Sequence, residues 1–169
     1  YRVTLFEKRS LPGGLVTYAA APYKQRVDPI IREVDRISRM GVELRLGVEV
    51  GRDVKTSDLK QFDALFVAVG MGSDALPKIP GTGLDGVWTS IAFLEHLKLS
   101  TKSFPLGPKV VVLGGGNTAV DVARGAVRLG AEEVTVIYRR DDALLRAQVV
   151  GAYTRRVGRD RVLVDPVGD

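Results

Sequence analysis

The chain has 169 residues, enough for one ordinary domain or two small ones, and its apolar fraction of 45% is that of a globular protein with a real core. The chain has 25 Lys and Arg against 20 Asp and Glu, which gives a net charge of +5. A charge of this size mainly affects solubility. The absence of cysteine excludes thiol redox pairs, thiolate-bound iron–sulfur clusters and disulfides, so redox chemistry needs a bound organic cofactor. With no apolar run of membrane length, we expect a cytoplasmic protein that contacts no membrane.

The chain opens with a predicted strand, residues 2–7 (RVTLFE), rich in β-branched and aromatic side chains and ending at an acid. In a dinucleotide fold the end of the second strand presents such a carboxylate to ribose hydroxyls, so Glu7 is a candidate ribose ligand. No glycine-rich turn and helix precede this strand, as they would precede a second strand. We therefore expect the chain, which begins at Tyr1 rather than Met, to start inside a domain.

A glycine-containing turn and a helix are predicted next. Residues 11–18 (LPGGLVTY) form the turn, in which Gly13 and Gly14 allow a ligand to approach the backbone closely. Asp28 is then predicted to cap a helix with Pro29 at its first position.

Two further strands are predicted in the first half of the chain. Residues 42–50 alternate apolar and polar side chains, which is the period of a half-exposed strand. Residues 64–69 (ALFVAV) are apolar on both faces and end at Gly70, so they are expected in the middle of a parallel sheet.

A stretch rich in Gly and Pro, residues 71–86, is the candidate crossover between two domains. After it, Thr89 or Ser90 is predicted to cap a helix that runs to about Leu99. His96, the single histidine, is interpreted as a structural residue of this helix.

Residues 109–140 give the strongest functional signal, with an apolar run, three glycines, an amphipathic helix, and a second apolar run that ends in two arginines. Gly114 allows a tight turn, Gly116 lets the backbone reach a pyrophosphate, and Ala119 lets the helix pack close to the strand. This order predicts a dinucleotide-binding strand, turn, helix and strand, and an ordinary strand-to-helix loop is the alternative. The candidate phosphate contacts are Gly114, Gly115, Gly116, Asn117 and Thr118.

The helix of this segment has predicted ends. Asn117 and Thr118 are expected to cap it, Asp121 to lie in its first turn where the helix dipole favours an acid, and Gly130 to end it.

The end of the second apolar run indicates which nicotinamide dinucleotide is bound. Tyr138 occupies the position where an NAD site usually presents an acid, and Arg139 and Arg140 follow it. Because guanidinium groups pair with phosphate in bidentate fashion, the arginines favour NADPH over NADH. In the alternative, they pair with Asp141 and Asp142 in solvent.

The remaining segment is predicted to contain a helix over residues 143–153 and a strand over residues 161–164. Its arginines lack the interleaved aromatic side chains that stack on bases, so we expect no nucleic-acid partner.

Three stretches carry a family likeness: GGGNTAVDVARGAVRLGAEEVTVIYRR, FEKRSLPGGL and FVAVGMG. They resemble the flavin-dependent NADPH oxidoreductases of the glutamate synthase small subunit and the matching flavin domain of dihydropyrimidine dehydrogenase. The likeness covers residues 3–146 and implies Rossmann-like, three-layer α/β dinucleotide-binding domains with parallel sheets, one for FAD and one for NADPH. It also implies hydride transfer from nicotinamide to flavin, with electrons leaving through iron–sulfur clusters held by other segments.

The resemblance assigns cofactor contacts residue by residue. For FAD it implies Glu7, Gly13, Gly14, Leu15, Lys24, Val50 and Gly70. For NADPH it implies Gly115, Gly116, Asn117, Thr118, Arg139, Arg140 and Arg146. No catalytic side chain and no metal ligand is expected, since the chemistry belongs to the cofactors.

The resemblance also sets expectations for the whole protein. Residues 1–80 are expected to be part of an FAD-binding domain, and residues 81–169 an NADPH-binding domain that is itself incomplete. We expect a fragment of a larger reductase, inactive by itself, whose parent works with an iron–sulfur or amidotransferase partner subunit or domain. The alternatives are a non-catalytic NADP(H)-sensing module and the pyrimidine-reducing relative, whereas a methyltransferase is disfavoured because it needs an acid at Tyr138.

Overall fold

The computed structural model describes residues 1–72, 74–100 and 105–138, and the backbone of two short strands, Thr154–Arg156 and Arg161–Val164. The chain divides into two compact units, Tyr1–Ser73 and Asp74–Asp169, here called the N-terminal and C-terminal units.

The N-terminal unit is built around two parallel strands, β1 (Val3–Glu7) and β2 (Val42–Leu46), whose register runs from Val3 opposite Val42 to Glu7 opposite Leu46. Between them lie a short helix, α1 (Gly14–Tyr18), and a longer one, α2 (Val27–Ser38). A 3-10 helix, Thr56–Gln61, follows β2. The parallel pair with a helical crossover confirms the α/β arrangement predicted for this half of the chain.

The predicted N-terminus of α2 was wrong by two residues. Arg26 is the N-cap, with extended backbone, and Val27 is the first helical residue. Asp28 lies in the first turn, and its carboxylate pairs with the Arg26 guanidinium at 3.2 Å. Pro29 is tolerated there because the amides of the first turn have no partner within the helix.

The strand predicted over residues 42–50 is shorter in the structure. β2 ends at Leu46, and Gly47 adopts a φ of +68°, which turns the chain away from an extended conformation. Val50 forms only an isolated parallel bridge with Val54.

The strand predicted over residues 64–69 was wrong, since these residues form no strand in the part of the chain that the structure describes. Their side chains are exposed, with Leu65 at 61%, Phe66 at 90% and Val69 at 87%. A central strand needs neighbours on both sides, whereas the described sheet of this unit contains only β1 and β2.

The C-terminal unit contains α3 (Ser90–Leu99), β3 (Lys109–Leu113), α4 (Asn117–Arg128), β4 (Glu133–Ile137), β5 (Thr154–Arg156) and β6 (Arg161–Val164). β3 and β4 are parallel, with Lys109 opposite Glu133, and α4 connects them. β6 and β5 extend the sheet in antiparallel fashion in the order β3, β4, β6, β5, so this sheet is mixed rather than wholly parallel. The strand predicted over residues 161–164 is present, and the helix predicted over residues 143–153 lies outside the described residues.

The core of the C-terminal unit lies where α4 packs on the sheet and α3 packs on α4. Its buried side chains are Phe93, Leu94, Val112, Ala123, Ala126, Val134 and Val136. The two helices are in close contact at Gly125, where an added Cβ would lie 2.7 Å from Leu97 Cδ2. α4 ends as predicted, because Gly130 follows it with a φ of +93°.

Candidate functional site

The glycine turn between β3 and α4 has the geometry that its sequence predicts. Gly114 has a φ of +125°, in the region that favours glycine, and its amide donates to the Ile137 carbonyl at 2.9 Å. That hydrogen bond ties the turn to the end of β4. A Cβ added to Gly114 would lie 3.8 Å from Ala119 Cβ, so the helix packs close to the strand as expected.

The start of α4 differs from the expectation that Asn117 and Thr118 cap it. Gly116 is the N-cap, and Asn117 and Thr118 are the first two helical residues, both exposed. Among the described residues no side chain caps this helix, and no atom lies within 4 Å of a Cβ built on Gly116. The backbone at Gly116 is therefore open on its Cβ side, which leaves room for a pyrophosphate at the start of the helix.

The middle glycine of the turn is enclosed rather than open. Gly115 is buried, and a Cβ built on it would lie 2.5 Å from Cδ2, 2.6 Å from Cγ and 2.8 Å from Cε2 of Tyr138. The sequence identified Tyr138 only as a non-acidic residue at the ribose position, because its contact with Gly115 joins two points 23 residues apart in the printed sequence.

The sequence predicted Asp121 in the first turn of α4, and this prediction was wrong. Asp121 is the fifth residue of the helix, and its side chain is buried, with 8% exposed. Its side chain therefore lies in the interior of the unit.

The predicted contacts to the 2′-phosphate are not described by the structure. Tyr138 follows β4 directly, whereas Arg139, Arg140 and Arg146 lie outside the described residues. Their assignment to NADPH remains a prediction.

In the N-terminal unit, the predicted flavin residues Glu7, Gly13, Gly14 and Leu15 belong to one continuous segment. Glu7 is the last residue of β1, half-buried, and its Oε1 accepts from the Arg9 amide at 2.8 Å. Gly13 and Gly14 have φ values of +99° and +54°, so the predicted turn is present, and α1 follows it at once. Leu15 is exposed on α1.

Two buried polar side chains that sequence reasoning missed hold this segment in shape. The Thr17 hydroxyl donates to the Pro12 carbonyl at 2.6 Å. The Tyr18 hydroxyl accepts from the Leu11 amide at 2.8 Å and donates to the Leu11 carbonyl at 3.1 Å. The Arg9 guanidinium lies 4.1 Å from the centre of the Tyr18 ring. These hydrogen bonds span five and seven residues, longer than the local side-chain-to-backbone patterns that a sequence reveals, so no sequence signal marked them.

The other predicted flavin residues, Lys24, Val50 and Gly70, lie outside the segment from Glu7 to Leu15. The Val48 amide donates to the Glu7 carbonyl and the Gly47 amide to the Arg9 carbonyl, both at 3.0 Å, so the segment leading to Val50 runs beside the end of β1. Lys24 is exposed after α1, and Gly70, with a φ of +73°, ends the exposed segment of residues 64–69. The structure brings Glu7 to Leu15 and the segment before Val50 together, and every one of the flavin contacts remains a prediction.

The described residues contain neither a candidate metal site nor a candidate membrane span. No group of three or more His, Asp and Glu side chains in this part of the chain could hold a metal ion. No helix in the same part is long and apolar enough to cross a membrane.

Comparison with known proteins gives the family. The family model of pyridine nucleotide-disulphide oxidoreductases matches residues 1–163. The chain belongs to this family. Pyridine nucleotide-disulphide oxidoreductases bind FAD and a nicotinamide dinucleotide, which confirms the cofactors and the Rossmann-like α/β fold predicted from the sequence.

Individual relatives agree with the family assignment. The chain is 36% identical over 150 residues to the NADP(+)-dependent formate dehydrogenase subunit beta of Moorella thermoacetica, covering 87% of this chain and 21% of that protein. It is also 36% identical over 152 residues to the glutamate synthase [NADPH] small chain of Escherichia coli, covering 83% and 32%. These relatives confirm the predicted resemblance to the glutamate synthase small subunit.

A solved structure supports the fold. FprA of Mycobacterium tuberculosis in complex with NADPH superposes with a TM-score of 0.66 at 26% identity, covering 83% of this chain and 37% of FprA. The chain thus spans between about a fifth and two fifths of the length of the relatives it matches.

Proposed function

We propose that the chain is the NADPH-binding portion, with part of the FAD-binding portion, of an NADPH-dependent flavin oxidoreductase similar to the glutamate synthase small chain. The C-terminal unit takes NADPH, and the N-terminal unit supplies one side of the FAD site. The observation that carries this proposal is the turn at Gly114 to Gly116, which leads into α4 through a glycine N-cap with no side-chain cap and open space on its Cβ side.

Different residues of the C-terminal unit contact different parts of NADPH. The first-turn amides of α4, with Gly116, Asn117 and Thr118, bind the pyrophosphate. Arg139 and Arg140, with Arg146 further along, bind the 2′-phosphate, since guanidinium groups pair with phosphate in bidentate fashion.

The N-terminal unit contributes the segment from Glu7 to Leu15. Since Glu7 Oε1 already accepts from the Arg9 amide, its second oxygen remains to accept from a ribose hydroxyl of FAD. Gly13 and Gly14 bring the backbone close to the flavin nucleotide, and Lys24, Val50 and Gly70 contribute at its edge. When both cofactors are bound, NADPH supplies a hydride and the flavin accepts it.

Electrons then leave to a partner. The 169 residues contain no cysteine, so iron–sulfur clusters must be held by another segment or subunit. Two relatives are named as a subunit or chain of a formate dehydrogenase and of a glutamate synthase, which supports a role as an electron-input component. A partner subunit or domain receives the electrons.

The arginines provide the direct test of nucleotide choice. We expect Arg139→Ala and Arg140→Ala each to weaken NADPH binding about tenfold to a hundredfold, because each removes a charge-assisted contact worth about 1.5 to 3 kcal/mol. Affinity for NADH should stay the same, since NADH lacks the 2′-phosphate. Fluorescence titration of the 169-residue chain with both reduced nucleotides measures this.

The matched control is Arg36→Ala, which removes an exposed arginine of α2 in the other unit. It should change neither affinity. If the unaltered chain binds NADH as tightly as NADPH, the proposed specificity is wrong, and if it binds neither nucleotide the NADPH site itself is wrong.

A second function, NADPH binding without turnover, is favoured for the chain by itself. The described sheet of the N-terminal unit has only two strands, and residues 64–69 lie outside it and are exposed. We expect the chain, with added FAD and ferricyanide, to bind NADPH but not oxidise it. Turnover at the rate of a flavin oxidoreductase would contradict this second function and support the first.

A further inference from the structure

The ring of Tyr138 fills the space above the middle glycine of the nucleotide turn. Three ring atoms lie between 2.5 and 2.8 Å from where a Cβ of Gly115 would be, so no side chain fits at Gly115 while the ring stays in place. Tyr138 is half-buried, and Gly115 is buried beneath it.

The end of β4 therefore holds the turn at two successive residues. The Ile137 carbonyl accepts from the Gly114 amide at 2.9 Å, and the next residue, Tyr138, covers Gly115. The residue after Gly115 is Gly116, the exposed N-cap of α4. A displacement of the turn at Gly115 would move the amides that start the helix.

We propose that Tyr138 is a positioning residue of the nucleotide site, whose aromatic ring holds the glycine turn so that the first-turn amides of α4 meet the pyrophosphate. This inference rests on the proposed NADPH function. The ring performs this task and the hydroxyl does not, because the contacts with Gly115 are made by Cγ, Cδ2 and Cε2.

Tyr138 and the two arginines act on different parts of the nucleotide. The pyrophosphate is common to NADPH and NADH, so a change at Tyr138 alters the affinity for both nucleotides by the same factor. Arg139 and Arg140 contact only the 2′-phosphate in the proposed function, so changes there alter the affinity for NADPH alone. A loss of general stability would not produce this difference between the two positions.

The test uses Tyr138→Ala, Tyr138→Phe and Gly115→Ala in the full chain, titrated with NADPH and NADH. We expect Tyr138→Ala to weaken both nucleotides about tenfold and Tyr138→Phe to restore affinity to within about twofold. Gly115→Ala should weaken both, because its Cβ displaces the ring. Phe66→Ala, which removes an exposed aromatic ring from the other unit, should change neither affinity.

The double variant Gly115→Ala with Tyr138→Ala gives the sharpest result. Once the ring is absent, the added Cβ has nothing to collide with, so the double variant should bind better than the product of the two single losses predicts. Losses that simply multiply would overturn the inference, as would a Tyr138→Phe variant as weak as Tyr138→Ala.

Failure of the positioning role can be told apart from failure of the proposed function. If the unaltered chain binds neither nucleotide, the proposed function fails, whereas if it binds NADPH and Tyr138→Ala binds equally well, only the positioning role fails. Circular dichroism checks that each variant is folded. If Tyr138→Ala does not fold, Tyr138→Leu replaces it, and affinity equal to that of the unaltered chain would overturn the role of the ring.

Discussion

A single carboxylate organises the start of the C-terminal unit. Asp74 Oδ2 accepts from the Ser90 hydroxyl at 2.5 Å and from the Ile91 amide at 3.0 Å, while the Thr89 hydroxyl accepts from the Ala92 amide at 3.3 Å. Two side chains therefore satisfy the first amides of α3. Thr89 was predictable because a cap adjoins its helix, but Asp74 lies 16 residues before Ser90 and carries no such local signal.

The charge of Asp74 makes this contribution depend on pH. Burial acts to raise the pKa of Asp74, but the hydrogen bonds from Ser90 and the Ile91 amide outweigh it and hold the pKa below its ordinary value. Since an unfolded aspartate has a pKa of about 3.9, the stabilisation is complete above about pH 4 to 5. It is lost as the pH falls through the lowered pKa of the folded state.

We expect Asp74→Asn to lower the free energy of unfolding by about 1 to 2 kcal/mol at pH 7, because it removes a charged cap from α3. The difference from the unaltered chain should shrink as the pH falls below 4. Urea unfolding at several pH values measures it. Asp85→Asn, at an exposed loop position, serves as the control, and a difference that grows in acid would contradict the assignment.

At the scale of elements, the contact between α3 and α4 depends on the small size of Gly125. A Cβ there would lie 2.7 Å from Leu97 Cδ2 and 3.1 Å from Phe93 Cε1, and Phe93 is buried. Glycine costs a helix interior about 1 kcal/mol relative to alanine, so close packing of the two helices offsets a local weakness. The sequence predicted both helices, but only their packing shows that Gly125 faces α3.

We expect Gly125→Ala to lower the free energy of unfolding by about 1 kcal/mol, since overpacking costs more than the helix gains. In a Leu97→Ala background the same change should raise stability, by up to about 1 kcal/mol, because the colliding methyl group is absent. Urea unfolding of the four proteins gives the comparison. A gain from Gly125→Ala in the unaltered chain would show that the helices do not approach as closely as described.

At the scale of the whole molecule, the two units differ in how well their apolar segments are covered. In the C-terminal unit β3 and β4 pack under α4, and Val112, Val134 and Val136 are buried. In the N-terminal unit the exposed residues 64–69 carry no secondary structure among the described residues. Backbone of this kind is accessible to proteases, whereas paired strands and packed helices are protected.

Among the described residues, we expect chymotrypsin to cut first beside Leu65 and Phe66, before sites within β1 or α3. Mass spectrometry of the early fragments identifies the cut. The variant with Leu65→Ala and Phe66→Ala should be cleaved several-fold more slowly at this position, while cleavage elsewhere proceeds at its usual rate. First cleavage at Phe6 or Phe93 instead would contradict the exposed state of residues 64–69.

The sequence by itself determined the parts of this protein that depend on neighbours along the chain. The turn at Gly114 was predictable because a positive φ requires glycine, and the flanking strands and helix because their apolar residues recur with the period of each element. Only the tertiary structure decided the rest. Contacts between residues far apart in the chain place the Tyr138 ring over Gly115 and the Ser90 hydroxyl in a hydrogen bond with Asp74. The presence or absence of a neighbouring strand decides whether residues 64–69 join the described sheet. Local pattern carries no information about such contacts, because the same segment is buried or exposed according to what packs against it.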